Sequence, residues 1–124
     1  MGLNALFFDT YAFFELWKGN PSYEPYNEVV KVVTSKMNLM ELYYWMYRTQ
    51  GKQIADSIFD MFAPSCVEIS DEYIKEAMVF RALHKEKKLS YVDCIGYILA
   101  LRNGVRFLTG DKQFKGMPNV EFVP

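Results

Sequence analysis

The chain has 124 residues, which is enough for one domain with a core of its own and too few for two. Its apolar fraction of 51% and aromatic fraction of 17% are typical of a globular protein and exclude a disordered one. Fourteen Lys and Arg residues against fifteen Asp and Glu give a net charge of −1, which argues against a protein that coats nucleic acid through a basic surface.

The first third of the chain is predicted to run from strand to helix to strand. The apolar stretch 5–8 predicts a strand, and the helix after it begins at Thr10. A break at 19–22 separates that helix from the next segment. We expect a second helix there that gives way to a strand around 32–35, although residues 29–34 also suit a strand.

The middle of the chain predicts two amphipathic helices that form an αα-hairpin. Asn38 is the expected N-cap of the first helix, and Gly51 is expected to end it. Apolar residues recur at helical spacing in both helices, and Pro64 follows the second. The alternating stretch 66–69 then predicts a short strand.

The last part of the chain predicts two further helices and two strands. Ser70 is the expected cap of a long helix that runs into the charged stretch 84–88. Ser90 is the expected cap of the next helix, 91–102, which is apolar nearly all round and should be buried. The two strands are predicted at 105–109 and 120–122.

Strands that alternate with helices predict an α/β fold with a parallel sheet covered on both faces. We expect a three-layer α/β/α arrangement with a central sheet of four to five strands. Reactive groups collect at the carboxyl ends of the strands in such sheets. Asp9 and Asp111 each follow a predicted strand and therefore stand at two such ends.

Four acids, Asp9, Glu41, Asp93 and Asp111, are candidate site residues, and each also has an ordinary structural explanation. Asp9 is a suitable N-cap, and Asp111 is a suitable turn residue after a glycine. Glu41 and Asp93 each occupy the fourth position of a predicted capping box, in the first turn of a helix. These explanations do not predict the placement of all four acids at one edge of a sheet.

Carboxylates gathered in one cleft need a compensating proton or cation. Two of them ~4 Å apart repel by about 4 kcal/mol at an effective dielectric constant near 20. Mg²⁺ or Mn²⁺ suits an all-oxygen site and lowers the pKa of a bound water, which points to phosphodiester hydrolysis. Thr10 and Thr109 adjoin the acids and are candidates to orient them, although roles in capping a helix and closing a strand explain both threonines equally well.

Four stretches of the sequence resemble the PIN domain, and most closely the small VapC-type toxins of toxin–antitoxin pairs. They are residues 6–10, 34–42, 89–93 and 107–114. Their order and spacing cover nearly the whole chain, so the resemblance implies one PIN-like nuclease domain over residues 1–124. Gly110 departs from the pattern, because relatives often carry a basic or polar residue there that contacts RNA.

The resemblance implies a Mg²⁺- or Mn²⁺-dependent endoribonuclease with Asp9, Glu41, Asp93 and Asp111 as metal ligands. It also implies an RNA substrate, a homodimer, and a small antitoxin whose tail covers the active site. Two alternatives stay open, namely a PIN-domain enzyme of RNA processing without an antitoxin, and a non-catalytic interaction module with the same fold.

Aromatic and basic residues add weaker predictions. The aromatic stretch 42–47 is interpreted as core plus a dimer or antitoxin surface rather than a base-stacking platform, with Tyr44 and Trp45 partly exposed. The basic residues nearest the acids in the predicted fold suit a phosphate backbone, and equally suit an ordinary surface. They are Arg48, Lys52, Lys112 and Lys115.

The remaining features predict a cytoplasmic protein. Cys66 and Cys94 lie in apolar stretches without metal-site spacing, so we expect reduced thiols. Asp9 and Glu15 interrupt the first apolar run, which argues against a signal peptide. No uncharged stretch reaches the ~18 apolar residues of a membrane span.

Overall fold

The computed structural model describes residues 4–28 and 30–124. Strands β1 to β4 span Asn4–Phe8, Val30–Val33, Arg106–Thr109 and Val120–Phe122. Helices α1 to α5 span Thr10–Lys18, Lys36–Gln50, Lys52–Phe62, Asp71–Leu83 and Tyr91–Arg102. Short 3₁₀ helices span Pro21–Tyr26, Ala63–Ser65 and Lys112–Phe114. None of the helices in the described ranges is long and apolar enough to cross a membrane.

The four strands form one parallel sheet in the order β2-β1-β3-β4. Strand β1 lies between β2 and β3, with Phe7 opposite Val33 on one side and Phe8 opposite Leu108 on the other. The predicted parallel α/β sheet is therefore confirmed, with four strands within the described residues.

Helices cover both faces of the sheet because successive strand residues point to opposite sides. Phe7 and Phe107 pack with the apolar residues of α4 and α5. Leu6, Phe8 and Leu108 pack with α1, α2 and α3 on the other face. This arrangement confirms the predicted three layers.

Helix α5 lies close to the sheet at Gly96. A Cβ atom at this position would stand 3.1 Å from the rings of both Phe7 and Phe107. The rest of the helix is buried from Cys94 to Ala100, in agreement with the prediction that it enters the core. Helix α5 therefore starts at the carboxyl edge of the sheet, at Tyr91, and then runs into the protein interior.

The predicted helix after the first break is shorter than expected. A 3₁₀ helix spans Pro21–Tyr26, and β2 begins at Val30 rather than around 32–35. Pro25 lies inside this segment and has no backbone N–H, so it cannot donate the hydrogen bond that an α-helix would need at this position. Val29, which was assigned to either element, lies outside the described residues.

Helix α2 begins one turn earlier than predicted, so the assignment of Asn38 as its N-cap is wrong. Ser35 is the N-cap, and its Oγ accepts a hydrogen bond of 3.2 Å from the backbone N–H of Asn38. Ser35 has extended backbone angles directly after β2, which places its hydroxyl over the first turn. Glu41 therefore lies in the second turn of α2, and its predicted capping box does not form.

The strand predicted at 66–69 is reduced to a single bridge between Thr34 and Cys66. The backbone N–H of Val67 donates to Thr34 O at 2.9 Å. Pairing stops there because Thr34 is followed at once by the cap of α2, so the neighbouring chain has no further extended partner. Both cysteines are free thiols, as predicted.

Candidate active site

The four predicted acids line one pocket at the carboxyl edge of the sheet. The pocket has a volume of about 380 Å³. We call it the acidic pocket, and it is lined by Asp9, Thr10, Tyr11, Phe14, Glu41, Tyr44, Trp45, Asp93 and Asp111. The acids come from the end of β1, from α2, from the start of α5 and from the turn after β3. The structure thus brings together residues that are as far apart in sequence as Asp9 and Asp111.

Asp9 is the most buried of the four acids, with 3% of its surface exposed. Its Oδ1 accepts a hydrogen bond of 2.8 Å from the backbone N–H of Thr10, as expected for the N-cap of α1. Its Oδ2 accepts one of 2.7 Å from the hydroxyl of Thr109 on the neighbouring strand. Both oxygens are therefore fixed by donors from the predicted threonine positions.

Burial and neighbouring charge disfavour the ionised form of Asp9. Desolvation is the largest cause and the charge on Asp93 the second, and together they raise the pKa of Asp9 to about 8. The hydrogen bonds from Thr109 and Thr10 act in the opposite direction, and the charge of Glu41 adds a smaller increase. Asp9 is thus a carboxylate whose charged form needs a positive partner.

Glu41 stands at the end of a buried chain of hydrogen bonds. Ser35 Oγ donates to Asn38 Oδ1 at 2.7 Å, and Asn38 Nδ2 donates to Thr10 Oγ1 at 3.0 Å. The Thr10 hydroxyl then donates to Glu41 Oε1 at 2.7 Å. Partial burial raises the pKa of Glu41 despite the hydrogen bond from Thr10, and the charge of Asp93 raises it further.

Asp93 combines a structural role with a place in the pocket. It forms the predicted capping box with Ser90, because its Oδ2 accepts from Ser90 N at 2.8 Å and its own N–H donates to Ser90 Oγ at 3.0 Å. Burial raises the pKa of Asp93 although both contacts with Ser90 lower it, and the charge of Asp111 raises it further. The capping interpretation and the site interpretation are therefore compatible for this residue.

Asp111 is positioned by the turn that follows β3. Its Oδ1 accepts a hydrogen bond of 2.9 Å from Gln113 N, at the start of a 3₁₀ helix. Its own N–H donates to the Thr109 hydroxyl at 3.1 Å. Thr109 therefore contacts two of the four acids, Asp9 through its donated hydrogen and Asp111 through an accepted one.

Gly110 departs from the family pattern because no side chain fits there. A Cβ atom would overlap the backbone oxygen of Val123 and the ring of Tyr11. Val123 is held over Gly110 by a hydrogen bond from its N–H to Thr109 O, at 2.9 Å, and by one from the Tyr23 hydroxyl to its oxygen, at 2.6 Å. The chain after β4 occupies the space that a larger residue would need.

The acids surround the pocket rather than meet at a single point. No three His, Cys, Asp or Glu side chains within residues 4–28 and 30–124 are grouped so as to hold a metal ion directly. Mg²⁺ keeps several of its waters and binds proteins through one or two carboxylates, so a wide all-oxygen pocket suits it better than a tight cage. The donor set and the raised pKa of Asp9 both fit a hydrated divalent cation.

Four aromatic side chains also line the acidic pocket. We call Tyr11, Phe14, Tyr44 and Trp45 the aromatic wall. Phe14 and Trp45 pack together with their ring centroids 4.9 Å apart. Tyr44 is 64% exposed, whereas the other three are half-buried. The prediction that Tyr44 and Trp45 are partly exposed is correct, and both line the pocket that the acids line.

Two residues of the site, Ser35 and Asn38, were not predicted as such. Asn38 was interpreted as a helix cap, although it is fully buried and supports Thr10. Ser35, Asn38 and Glu41 follow one another at intervals of three residues, which places them on one face of a helix. That spacing is a sequence signal that the three residues share a face, but it does not indicate which of them caps the helix.

The four basic residues differ in their relation to the site. Arg48 lies over the ring of Tyr44, with its Cζ 5.3 Å from the ring centroid. Lys52 forms an ion pair of 2.6 Å with Asp56 on α3. Lys112 and Lys115 line a neighbouring pocket of about 550 Å³ that shares Tyr11 and Asp111 with the acidic pocket. Arg48, Lys112 and Lys115 therefore flank the acids.

Solved structures that resemble this chain include VapC toxins and their complexes. One is a toxin–antitoxin complex from Klebsiella pneumoniae, with a TM-score of 0.75 and 21% identity over 94% of this chain and 95% of that chain. Another is VapC20 of Mycobacterium tuberculosis, a toxin that cleaves the sarcin–ricin loop. Its TM-score is 0.74 and its identity is 18% over 94% of this chain and 98% of that chain. A third is VapBC2 of Rickettsia felis bound to promoter DNA, with a TM-score of 0.69 and 19% identity over 96% and 97%.

At these identities, the likeness to solved structures is a likeness of fold. No curated protein sequence matches the chain. The model of the PIN domain family, however, matches residues 6–120, which include all four acids and the whole of strands β2 and β3. The chain belongs to the PIN domain family.

Proposed function

We propose that this protein is an endoribonuclease that depends on Mg²⁺ or Mn²⁺ and acts as the toxin of a VapBC-type pair. The observation that carries the proposal is that Asp9, Glu41, Asp93 and Asp111, from four separate elements, line one pocket. Membership of the PIN domain family supports a nuclease, and the fold shared with VapC toxins supports the toxin role.

The four acids would hold the cation, mostly with waters between protein and metal. Bound there, Mg²⁺ or Mn²⁺ supplies a water of lowered pKa and positive charge for the phosphodiester oxygens. The raised pKa of Asp9 fits this role, because a carboxylate destabilised by burial and by Asp93 gains from a positive charge beside it.

The chain itself contributes a fixed arrangement of those carboxylates. Thr109 holds Asp9 and contacts the backbone of Asp111, while Thr10 holds Glu41 and contacts the other side of Asp9. Hydrogen bonds of this kind keep charged groups oriented without reorganisation during the reaction. Thr10 and Thr109 are therefore proposed as the positioning residues of the site.

A toxin of this type requires a protein that neutralises it. We propose a small antitoxin as partner, because the similar structure from Klebsiella pneumoniae is of a toxin–antitoxin complex. We also propose a homodimer, which the resemblance of the sequence to VapC-type toxins implies. Co-expression with the product of a small neighbouring reading frame, followed by co-purification, tests the antitoxin. Light scattering of the isolated protein at the mass of one chain would contradict the homodimer.

The nuclease proposal is tested by incubating a panel of defined RNAs with the purified protein and Mg²⁺ or Mn²⁺. We expect cleavage that stops with a chelator and is abolished in Asp93→Asn. Asparagine keeps an oxygen that can accept from Ser90 N, so the helix cap and the fold should survive while the charge is lost. Glu68→Gln, which changes an exposed acid outside the acidic pocket, is the matched control. Equal cleavage by wild type and a folded Asp93→Asn would refute the proposal.

A further inference from the structure

We propose that Tyr44 stacks on an unpaired RNA base next to the scissile phosphate and thereby selects RNA whose bases are exposed. This inference rests on the proposed nuclease function and adds to it the kind of substrate that the site accepts. It assigns a binding role to an aromatic residue that the metal chemistry does not use. Three observations support the role of Tyr44: its position in the acidic pocket, the exposure of its ring, and the charges around it.

Tyr44 belongs to the same pocket as the acids. It lines the acidic pocket together with Asp9, Glu41, Asp93 and Asp111. A phosphate that is bound near these acids therefore has the ring of Tyr44 within the same cavity. The nucleotides on either side of that phosphate are the parts of the substrate that reach the aromatic wall.

The exposure of Tyr44 is not explained by packing. Phe14 and Trp45 are half-buried and pack against each other. Tyr44 lines the same pocket but has 64% of its surface exposed. Its ring is thus open to a flat ligand, and the face of a nucleobase is such a ligand.

Because the protein carries little positive charge, we expect base stacking to contribute much of its affinity for RNA. Proteins that hold nucleic acid by its phosphates alone use many Lys and Arg residues, whereas this chain has a net charge of −1 and an acidic pocket. Base stacking does not require positive charge and is independent of sequence. The aromatic wall therefore supplies an attraction that the electrostatics of the chain does not.

Arg48 adds one positive charge beside the ring of Tyr44. It follows Tyr44 by one helical turn, and its guanidinium lies over the tyrosine ring at 5.3 Å from the centroid. A base on the open face of the ring would leave Arg48 within reach of the adjoining phosphate. Tyr44 and Arg48 together match the two parts of one nucleotide, the base and its phosphate.

Stacking on Tyr44 requires a base whose face is free. In a duplex the faces of the bases are covered by their neighbours, so only single strands, loops or unstacked ends can offer one. The site should therefore prefer unpaired RNA. The competing explanation is the one that the sequence suggested, namely that the stretch 42–47 contacts a second copy or an antitoxin. It predicts that neither RNA binding nor RNA cleavage changes when Tyr44 is replaced.

The test compares Tyr44→Ala and Tyr44→Phe with Tyr47→Ala. Tyr47 is the matched control because it is also exposed, at 53%, on the same helix, and it does not line the acidic pocket. Binding of a fluorescently labelled single-stranded RNA is measured by anisotropy with Ca²⁺, and cleavage is measured with Mn²⁺. We expect Tyr44→Ala to weaken binding and raise KM by about five- to 100-fold, with Tyr44→Phe and Tyr47→Ala within about threefold of wild type.

A double-mutant cycle identifies the base. Each nucleotide flanking the mapped cut is replaced in turn by an abasic one, and the effect is measured in wild type and in Tyr44→Ala. At one position, the abasic change should weaken binding to wild type and have little further effect on Tyr44→Ala. Additive effects at every position would overturn the stacking assignment.

The outcomes separate this inference from the nuclease proposal. Unchanged binding and KM in Tyr44→Ala, with cleavage that still depends on Asp93, would overturn the role of Tyr44 and leave the nuclease standing. Loss of RNA binding in Tyr44→Ala, in a protein that cuts no RNA with Mg²⁺ or Mn²⁺, would support the stacking and refute the nuclease. Equal affinity of wild type for a duplex and a single strand would overturn the preference for unpaired bases.

Discussion

The hydroxyl of Thr10 donates a hydrogen bond of 2.7 Å to Oε1 of Glu41 and so joins the start of α1 to the second turn of α2. The hydroxyl oxygen of Thr10 also accepts a hydrogen bond of 3.0 Å from Asn38 Nδ2. Because Thr10 also contacts Asp9 through its backbone N–H, one residue links two of the proposed metal ligands. The geometry of the pocket therefore depends on a side chain that carries no charge.

Replacement of Thr10 by valine should weaken the site more than replacement by serine. Valine has the shape of threonine but leaves the buried Asn38 amide and Glu41 without their shared partner, a loss of about 1–3 kcal/mol. Serine keeps the hydroxyl. We expect Thr10→Val to lower the free energy of unfolding in urea and the affinity for Mn²⁺, and Thr10→Ser to restore most of both. An equal loss in the two variants would contradict the prediction that the hydroxyl of Thr10 contributes more than its methyl group.

Asn38→Leu should destabilise the protein although it places an apolar residue in a buried position. The change removes the acceptor of the Ser35 hydroxyl hydrogen and the donor to Thr10 Oγ1, and a buried donor left unsatisfied in this way costs about 1–3 kcal/mol. Urea unfolding measures the loss, and calorimetry with Mn²⁺ measures the effect on the site. Gln50→Leu, at the exposed end of the same helix, should change stability by no more than about 0.5 kcal/mol. A stable Asn38→Leu with unchanged Mn²⁺ affinity would contradict the role assigned to this amide.

The binding of Mn²⁺ should become tighter as pH rises from about 6 to about 8.5. The pKa of Asp9 is raised to about 8, so below that pH a cation must displace a proton from this carboxyl. The metal-free protein should show the opposite trend, because the folded state holds that proton more tightly than the unfolded chain. The contribution of Asp9 to the free energy of unfolding should be most favourable at low pH. It should fall as pH rises from the ordinary carboxyl range towards 8.

Thermal unfolding with and without Mn²⁺, repeated across that pH range, measures both trends. Asp9→Asn is the control, since it cannot lose a proton, and its metal-free stability should depend less on pH. A shift in Tm caused by Mn²⁺ that is the same at every pH would rule out the protonated Asp9 as the group that competes with the cation.

Gly110→Ala should disturb both stability and activity. The added Cβ would overlap Val123 O and the Tyr11 ring, and relief of such overlaps costs about 1–3 kcal/mol or more. The turn that carries Asp111 would have to move, so cleavage should fall as well. Lys112→Ala, two residues further along on the surface, is the control for stability. Wild-type stability and cleavage in Gly110→Ala would contradict this prediction and show that the segment after β4 moves aside at little cost.

The fold was largely predictable because its strongest signals are local. The last strand, Val120–Phe122, has the predicted bounds, and the cap at Ser90 is where the capping box indicated. The strand predicted at 66–69 failed for a reason that is not local. An extended segment becomes a strand only beside another extended segment, and the segment 66–69 has only Thr34 to pair with.

The site was predictable to the level of its acids and of the two threonines beside them, Thr10 and Thr109. Asp9 and Asp111 follow strands that are neighbours in a parallel sheet, and this relation can be deduced from the order of elements. The role of Asn38 could not be deduced from its position in a capping pattern, because Ser35 competes for the same cap. That competition is decided by where β2 ends, which a short strand signals weakly.

The sheet order has a consequence for when the acidic pocket can form during synthesis. Asp9 directly follows β1, whereas its donor Thr109 is the last residue of β3 and Asp111 lies two residues further on. A nascent chain that ends before β3 has neither the pairing of β1 with β3 nor the hydroxyl that orients Asp9. On the proposed function, such a chain lacks part of its site and is therefore inactive.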